Sequence, residues 1–170
     1  EMLALKPVLD GDSQGTWVGL YNAIAQANSA IQSITTVDNP VTNDELLFND
    51  IVGHAYFVRS WSYFSLTRLF GDIPLWLELP DADNLSKPKT SAKDVYAQAI
   101  SDAKNAEALL NESVGVGYPK QYAANMLLAK LYMTLATNTD LQESNLTEAN
   151  YWQLAYDEAI KAYGQYQLVS

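Results

Sequence analysis

The sequence predicts an all-α fold: helical hairpins stacked as an αα superhelix, with one short extended segment after the central helix. Three observations predict it. Residues 50–75, DIVGHAYFVRSWSYFSLTRLFGDIPL, begin as a helix that carries bulky apolar groups on two faces, and such a helix is buried on two sides. Start and stop signals cut the remaining chain into further helices of similar length. Finally, the spacing of small and aromatic side chains recurs between the first half of the chain and the second.

In chain order, residues 1–15 are rich in turn formers, and Asp10, Gly11, Asp12 and Gly15 mark a loop. Asp10 and Asp12 lack the glycine and glutamate of a calcium loop, so a solvated turn is expected and no metal site. From Thr16 to about Ile34, Trp17, Leu20, Tyr21, Ile24, Ala27, Ile31 and Ile34 form one apolar stripe at three-four spacing. Asn28 lies on its edge. A packed amide needs hydrogen-bond partners, so Asn28 is expected to pin this helix to a neighbour's backbone rather than to hold a ligand. A short turn around Asn39 and Pro40 then makes the first two helices antiparallel neighbours.

The central helix has both ends written into it. Thr42 and Glu45 have capping-box spacing, and Val41 and Leu46 have that of a hydrophobic staple. One apolar row is Ile51, Ala55, Val58 and Leu66; a second is Phe57, Trp61 and Phe64, with Trp61 assigned to the core. Gly53, Ser60, Ser62 and Ser65 leave room for close neighbours. Arg59 is a cation in an apolar helix, and buried arginines are paired, so it reads as a second structural pin. Arg68 suits the carbonyl end of the helix, Gly71 can take positive φ, and Pro74 forbids continuation. Beyond it Ile73, Leu75, Leu77 and Leu79 alternate with Pro74, Trp76 and Glu78, an extended pattern that puts Trp76 opposite the apolar side. Among four tryptophans Trp76 is therefore the one sugar-stacking candidate, while Trp152, like Trp61, is assigned to the core.

Residues 80–89 read as a surface loop, and Ser91 with Asp94 caps a third helix whose seam is Ala92, Tyr96, Ala99, Ala103, Ala106 and Leu110. Gly115 and Gly117 break the chain before Pro119, expected in the first turn of a fourth helix reaching about Ala136. A fifth begins near Asn150 and stops at Gly164. Ala55, Val58, Ser60 and Tyr63 recur as Ala124, Leu127, Ala129 and Tyr132; Tyr96, Ala99 and Ile100 recur as Tyr156, Ala159 and Ile160. Two hairpins of one design are what a divergent tetratricopeptide-type stack shows.

Composition bounds the function. With 170 residues, one domain over 1–170 can bury a sizeable core. There is no cysteine and one histidine, so disulfides and ordinary zinc sites are excluded. A net charge of −10 without a basic cluster argues against nucleic acid and anionic membrane. The first residues show neither a basic n-region with an apolar run nor a cleavage site, and no run approaches the ~18 apolar residues of a membrane span. His54 sits inside the central helix beside Tyr56 and Phe57, a place for a packed residue rather than a catalytic base. No pair of carboxylates stands out, no phosphate loop follows a strand, and no cofactor is expected.

The string AYFVRSWSYF followed by RLFGDIPL resembles the helix and exit segment of the SusD/RagB family. Trp17, Leu20, Tyr21, Ile24, Ala27 and Asn28 are similar to that family's opening helix, and residues 94–100, 122–132 and 164–168 to its later segments. His54 stands where the family commonly has an acid and Lys89 where it has an arginine. The resemblance spans nearly the whole chain. It implies tetratricopeptide-like helical pairs in a piece of a longer protein. It also implies a lipoprotein on the surface of a Gram-negative, Bacteroidetes-type bacterium. Such a protein captures oligosaccharide without catalysis and passes it to a TonB-dependent outer-membrane transporter of SusC type. Its lipid anchor would lie outside these residues. No sugar-contact position carries over from the family. The alternative from another class is a tetratricopeptide-type adaptor that binds protein and no sugar; a glycosidase is the third reading.

Overall fold

The computed structural model describes residues 10–35, 45–80, 86–111 and 117–165. Five helices dominate: α1 (Asp10–Thr35), α2 (Glu45–Phe70), α3 (Ala92–Leu109), α4 (Gln121–Ala136) and α5 (Glu148–Ala162). A two-residue strand β1 (Ile73–Pro74) pairs antiparallel with β2 (Lys89–Thr90), Ile73 opposite Thr90. The architecture is the all-α, tetratricopeptide-like stack that the pattern predicts, and the longest contacts run between consecutive helices. Their directions alternate. Trp17 packs edge-on to Phe70 while Asn28 meets Arg59, so α1 and α2 are antiparallel. Phe64 faces Tyr96 and Arg59 faces Asp102, so α2 and α3 are too.

Local chemistry explains the boundaries. The Gly71 N–H donates to the Thr67 carbonyl at 3.0 Å with φ 71°, which ends α2 in the left-handed conformation that glycine tolerates. The Ser91 hydroxyl accepts from the Asp94 N–H, and the Asp72 carboxylate accepts from the Ala92 N–H at 2.8 Å, so two side chains satisfy the start of α3. Thr147 and Asn150 form a capping box for α5, and Gly164 follows its end at φ 78°. The Gln142 side chain donates to the Leu135 carbonyl at 2.8 Å, closing α4 from the loop that follows. The cap at Thr42, the turn around Pro40, the break at Gly115 and the last residues, 166–170, lie outside the described residues.

The core contains Tyr63, Phe64, Leu66 and Ile73 from α2 and its exit, Tyr96, Ala99 and Ala103 from α3, and Leu127, Leu128, Leu131 and Tyr132 from α4. Small residues set the spacing. A methyl on Gly53 would lie 3.0 Å from Leu110 Cγ, and Ala99, Ala103 and Ala106 are fully buried on the facing seam. Tyr63 and Tyr132 occupy equivalent buried positions in the hairpins α2–α3 and α4–α5.

Several expectations are corrected. The stretch from Asp10 to Gly15 is not a loop but the first turns of α1. Acidic residues at a helix N-terminus favour that end, and a mid-helix glycine costs only about 1 kcal/mol. Trp61 and Trp152 are not core: each is 43% exposed, on a face of α2, α4 and α5 that no described element covers. Ile51 and Val58 are exposed for the same reason, so only Ala55 and Leu66 of the first row are buried. Pro119 precedes α4, whose N-cap is Lys120. Leu77 and Leu79 are exposed, because pairing with β2 stops at Pro74 and the alternation loses its buried side beyond Leu75.

Buried phenols make the stack labile to alkali. Burial, reinforced by Glu158 and Glu107, pushes Tyr132 up to about 12 from an ordinary 10.0, and burial raises Tyr21 and Tyr63 as well. The folded chain then holds protons that the unfolded chain releases. Stability is full below pH 10.0 and is lost as pH rises toward about 12. Circular dichroism followed from pH 9 upward should show helix loss beginning near pH ~10. A Tyr132→Phe variant should lose less.

Candidate functional site

The exit segment that carries Trp76 is held by a buried polar chain running through three helices. Asp102 on α3 accepts two bonds from Arg59 on α2, from Nε to Oδ2 and from Nη2 to Oδ1, both at 2.7 Å. Gln98, one turn earlier on α3, donates to Asp102 Oδ1 at 2.9 Å. This bidentate pair leaves Arg59 Nη1 free to donate to Asn28 Oδ1 on α1 at 2.8 Å. With its oxygen so fixed, the Asn28 amide must point its Nδ2 at the exit segment. It donates there to the Trp76 carbonyl at 3.0 Å and the Glu78 carbonyl at 3.3 Å. All three side chains are buried. An unpaired guanidinium in such a place is costly, so the carboxylate and the amide are what allow Arg59 to remain there.

Tyrosines complete the clamp. The Tyr63 hydroxyl donates to the Trp76 carbonyl at 2.6 Å and accepts from the Trp76 N–H at 2.8 Å, which satisfies both backbone groups of that residue. The Tyr21 hydroxyl donates to the Pro74 carbonyl at 2.7 Å. An extended segment without a full strand partner therefore finds its hydrogen bonds among side chains.

Trp76 itself is half-buried against the core, and Lys87 Nζ lies 5.0 Å from its ring centroid. Beside it a cleft of about 270 Å³ is bounded by Tyr21, Ile24, Asn28, Glu78 and Pro80. The ring is thus a wall of a cleft, not the freestanding platform that strict alternation implies. Lys89 lies in β2, exposed. His54 packs edge-on to Tyr118, its Nδ1 2.6 Å from the Asp50 carbonyl oxygen, and it meets none of these groups.

The arrangement fixes the backbone of the exit segment beside the cleft. Asp102 is committed to Arg59, and among the described residues Glu78 is the acid that lines the cleft. Among the described residues no group of three or more metal-ligating side chains occurs, and no helix is long and apolar enough to cross a membrane. Sequence reasoning placed Asn28 and Arg59 among the structural residues but named neither Asp102 as the partner nor Tyr63 and Tyr21 as clamps. The buried cation called for a carboxylate, yet twenty acids gave no ground for choosing one.

The family profile described as "Starch-binding associating with outer membrane", SusD-like, matches residues 6–133. The chain belongs to the SusD-like family. Among curated relatives, a SusD-like protein of Formosa agariphila is 32% identical over 131 residues, 73% of this chain and 25% of its own length. One from Bacteroides ovatus is 29% identical over 74% of this chain and 23% of its own. This SusD-like chain therefore spans about a quarter of the curated relatives it matches. Among solved structures, a SusD superfamily protein of Bacteroides thetaiotaomicron is 28% identical, covers 91% of this chain and 33% of its own, and superposes with a TM-score of 0.73. A protein crystallised with a xylogluco-oligosaccharide shares the fold at TM-score 0.78 and 23% identity, covering 94% of this chain and 31% of its own.

Proposed function

We propose that this SusD-like chain is part of a non-catalytic surface protein that captures oligosaccharide and delivers it to a TonB-dependent transporter of SusC type. The protein is held at the outer membrane by a lipid anchor outside residues 1–170. The observation that carries the reading is the clamped exit segment: three helices and two tyrosines spend buried hydrogen bonds to fix the backbone of Trp76 beside a cleft. Family membership supports it, as does the partly apolar, aromatic-walled cleft, the usual form of a small-ligand site. Among the described residues around it no activated nucleophile or free carboxylate pair occurs, which favours capture over hydrolysis.

A glycan array probed with the longer protein, followed by calorimetry on the best neutral oligosaccharide, tests this. Trp76→Ala should weaken binding at least about tenfold, since aromatic stacking contributes on the order of 1–3 kcal/mol. Helix content should stay unchanged, because the clamp acts on the backbone of residue 76 and not on its ring. Unaltered affinity in Trp76→Ala would move the sugar away from this cleft. Failure of every glycan, with capture of a protein through the helical face, would support the adaptor reading in its place.

A further inference from the structure

On the opposite side of α2 from the Asn28 contact surface, a second and more open cavity of about 360 Å³ lies between α2, α4 and α5. Its walls are Phe64 and Arg68 from α2, Lys130 and Met133 from α4, and Trp152 from α5, with Thr134 and Thr137 at the rim. Among the described residues no acid lines the cavity, in a chain that carries twenty acids against ten basic residues. The two cations are held in an unusual way. Arg68 lies 5.3 Å from the Phe64 ring centroid and Lys130 lies 5.5 Å from that of Trp61. Among the described residues neither has a carboxylate within ion-pair distance, whereas Arg59, Lys93 and Lys161 all do. Glu148 is the acid nearest to the walls by contact; it accepts from Trp152 Nε1 at 3.2 Å.

We propose that this cavity is a second glycan subsite, selective for a carboxylate-bearing sugar unit, a uronate. The carboxylate would sit between Arg68 and Lys130, and the pyranose face would lie on Trp152 and Met133. This deepens the reading of the chain as a glycan binder and rests on it, but it uses residues separate from the Trp76 cleft. Three arguments select the ligand. Both cations stand in the last two turns of their helices, where the carbonyl ends carry roughly half a negative charge each; two full positive charges outweigh them. A ring stacked under each cation fixes it without neutralising it, which leaves the charge available to an anion. The Thr134 and Thr137 hydroxyls already donate to the backbone carbonyls of Lys130, Met133 and Thr134, so the cations are the free donors of the cavity. An acidic peptide would find its charge matched but not its backbone, because helical faces offer no unpaired amide or carbonyl for an extended chain. A sugar ring needs only the aromatic wall.

The test is calorimetry on the 170-residue chain with trigalacturonate, its fully methyl-esterified form and an Asp/Glu-rich peptide. Trigalacturonate should bind, with its affinity falling as salt rises. The ester, identical in ring and shape, should bind at least about tenfold more weakly, the loss expected for a charge-assisted contact. Arg68→Gln and Lys130→Gln should each reduce trigalacturonate affinity about tenfold; both residues are exposed, so the fold is expected to survive, and thermal melts check it. Arg68→Gln and Lys130→Gln should leave binding of a neutral oligosaccharide at the Trp76 cleft unchanged, which separates failure here from failure at the cleft. Equal binding of acid and ester, no binding of trigalacturonate, or indifference to both glutamine variants would overturn the proposal. Tighter, Arg68-dependent binding of the acidic peptide would overturn it in favour of a protein partner.

Discussion

Asp102→Ala is expected to destabilise the chain by about 3–5 kcal/mol, the range for removing one partner of a buried ion pair. The loss exceeds that of two hydrogen bonds. Arg59 stays charged, since a guanidinium keeps its proton even when buried, and it would be left at 5% exposure with one amide oxygen as partner. Desolvation of that charge is then uncompensated. The effect should spread along the buried chain: with Arg59 displaced, Asn28 loses the contact that orients its amide, and the Trp76 and Glu78 carbonyls lose their donor. Denaturant unfolding measures the first part. Amide exchange at residues 76–78 measures the second, and protection there should fall more than at Leu127 in the distant hairpin. Asp102→Asn provides a milder step, with shape kept and charge lost. A change below 1 kcal/mol in Asp102→Ala would mean that Arg59 escapes to solvent.

Leu66→Ala should cost about 2–5 kcal/mol, and Trp61→Ala less than half as much, despite the larger side chain removed. Leu66 is completely inaccessible within the main core cluster, where close packing leaves its neighbours little freedom to close the space. Trp61 is 43% exposed, with one face toward Phe64 and the other under Lys130, so its truncation leaves a groove that water fills. Paired melts of the two variants decide it. The opposite order would require the α2–α4–α5 face to be covered in solution.

The fold was legible because its signals are local. The cap at Ser91, the glycine stops at Gly71 and Gly164, and the alanine seam of α3 each depend on a few consecutive residues. Which face of a helix ends up covered is a property of the whole stack. Trp61 and Leu66 look alike to periodicity, and only the absence of a described neighbour beyond α4 and α5 separates them. The same holds for Tyr96 and Tyr156, equivalent in spacing: the first is buried between hairpins and the second is 60% exposed at the end of the stack. At the candidate site, a need was readable but its fulfilment was not. Arg59 had to have a partner and found it in Asp102, 43 residues away, while the Trp76 backbone found the Tyr63 hydroxyl 13 residues before it.

The short pairing of Ile73 with Thr90, together with the Asp72 bond to the Ala92 N–H, has an evolutionary side. It staples the exit of α2 to the start of α3, so that the two helix ends stay together whatever sequence joins them. For a loop closed at its base, doubling the length costs only about 0.6 kcal/mol. Between Glu78, where the Asn28 clamp ends, and Lys89, insertions, deletions and exchanged side chains are therefore expected to be nearly neutral for folding while they change the rim of the cleft. Sequence there can be exchanged while the scaffold is kept, and divergence between orthologues is expected to concentrate there.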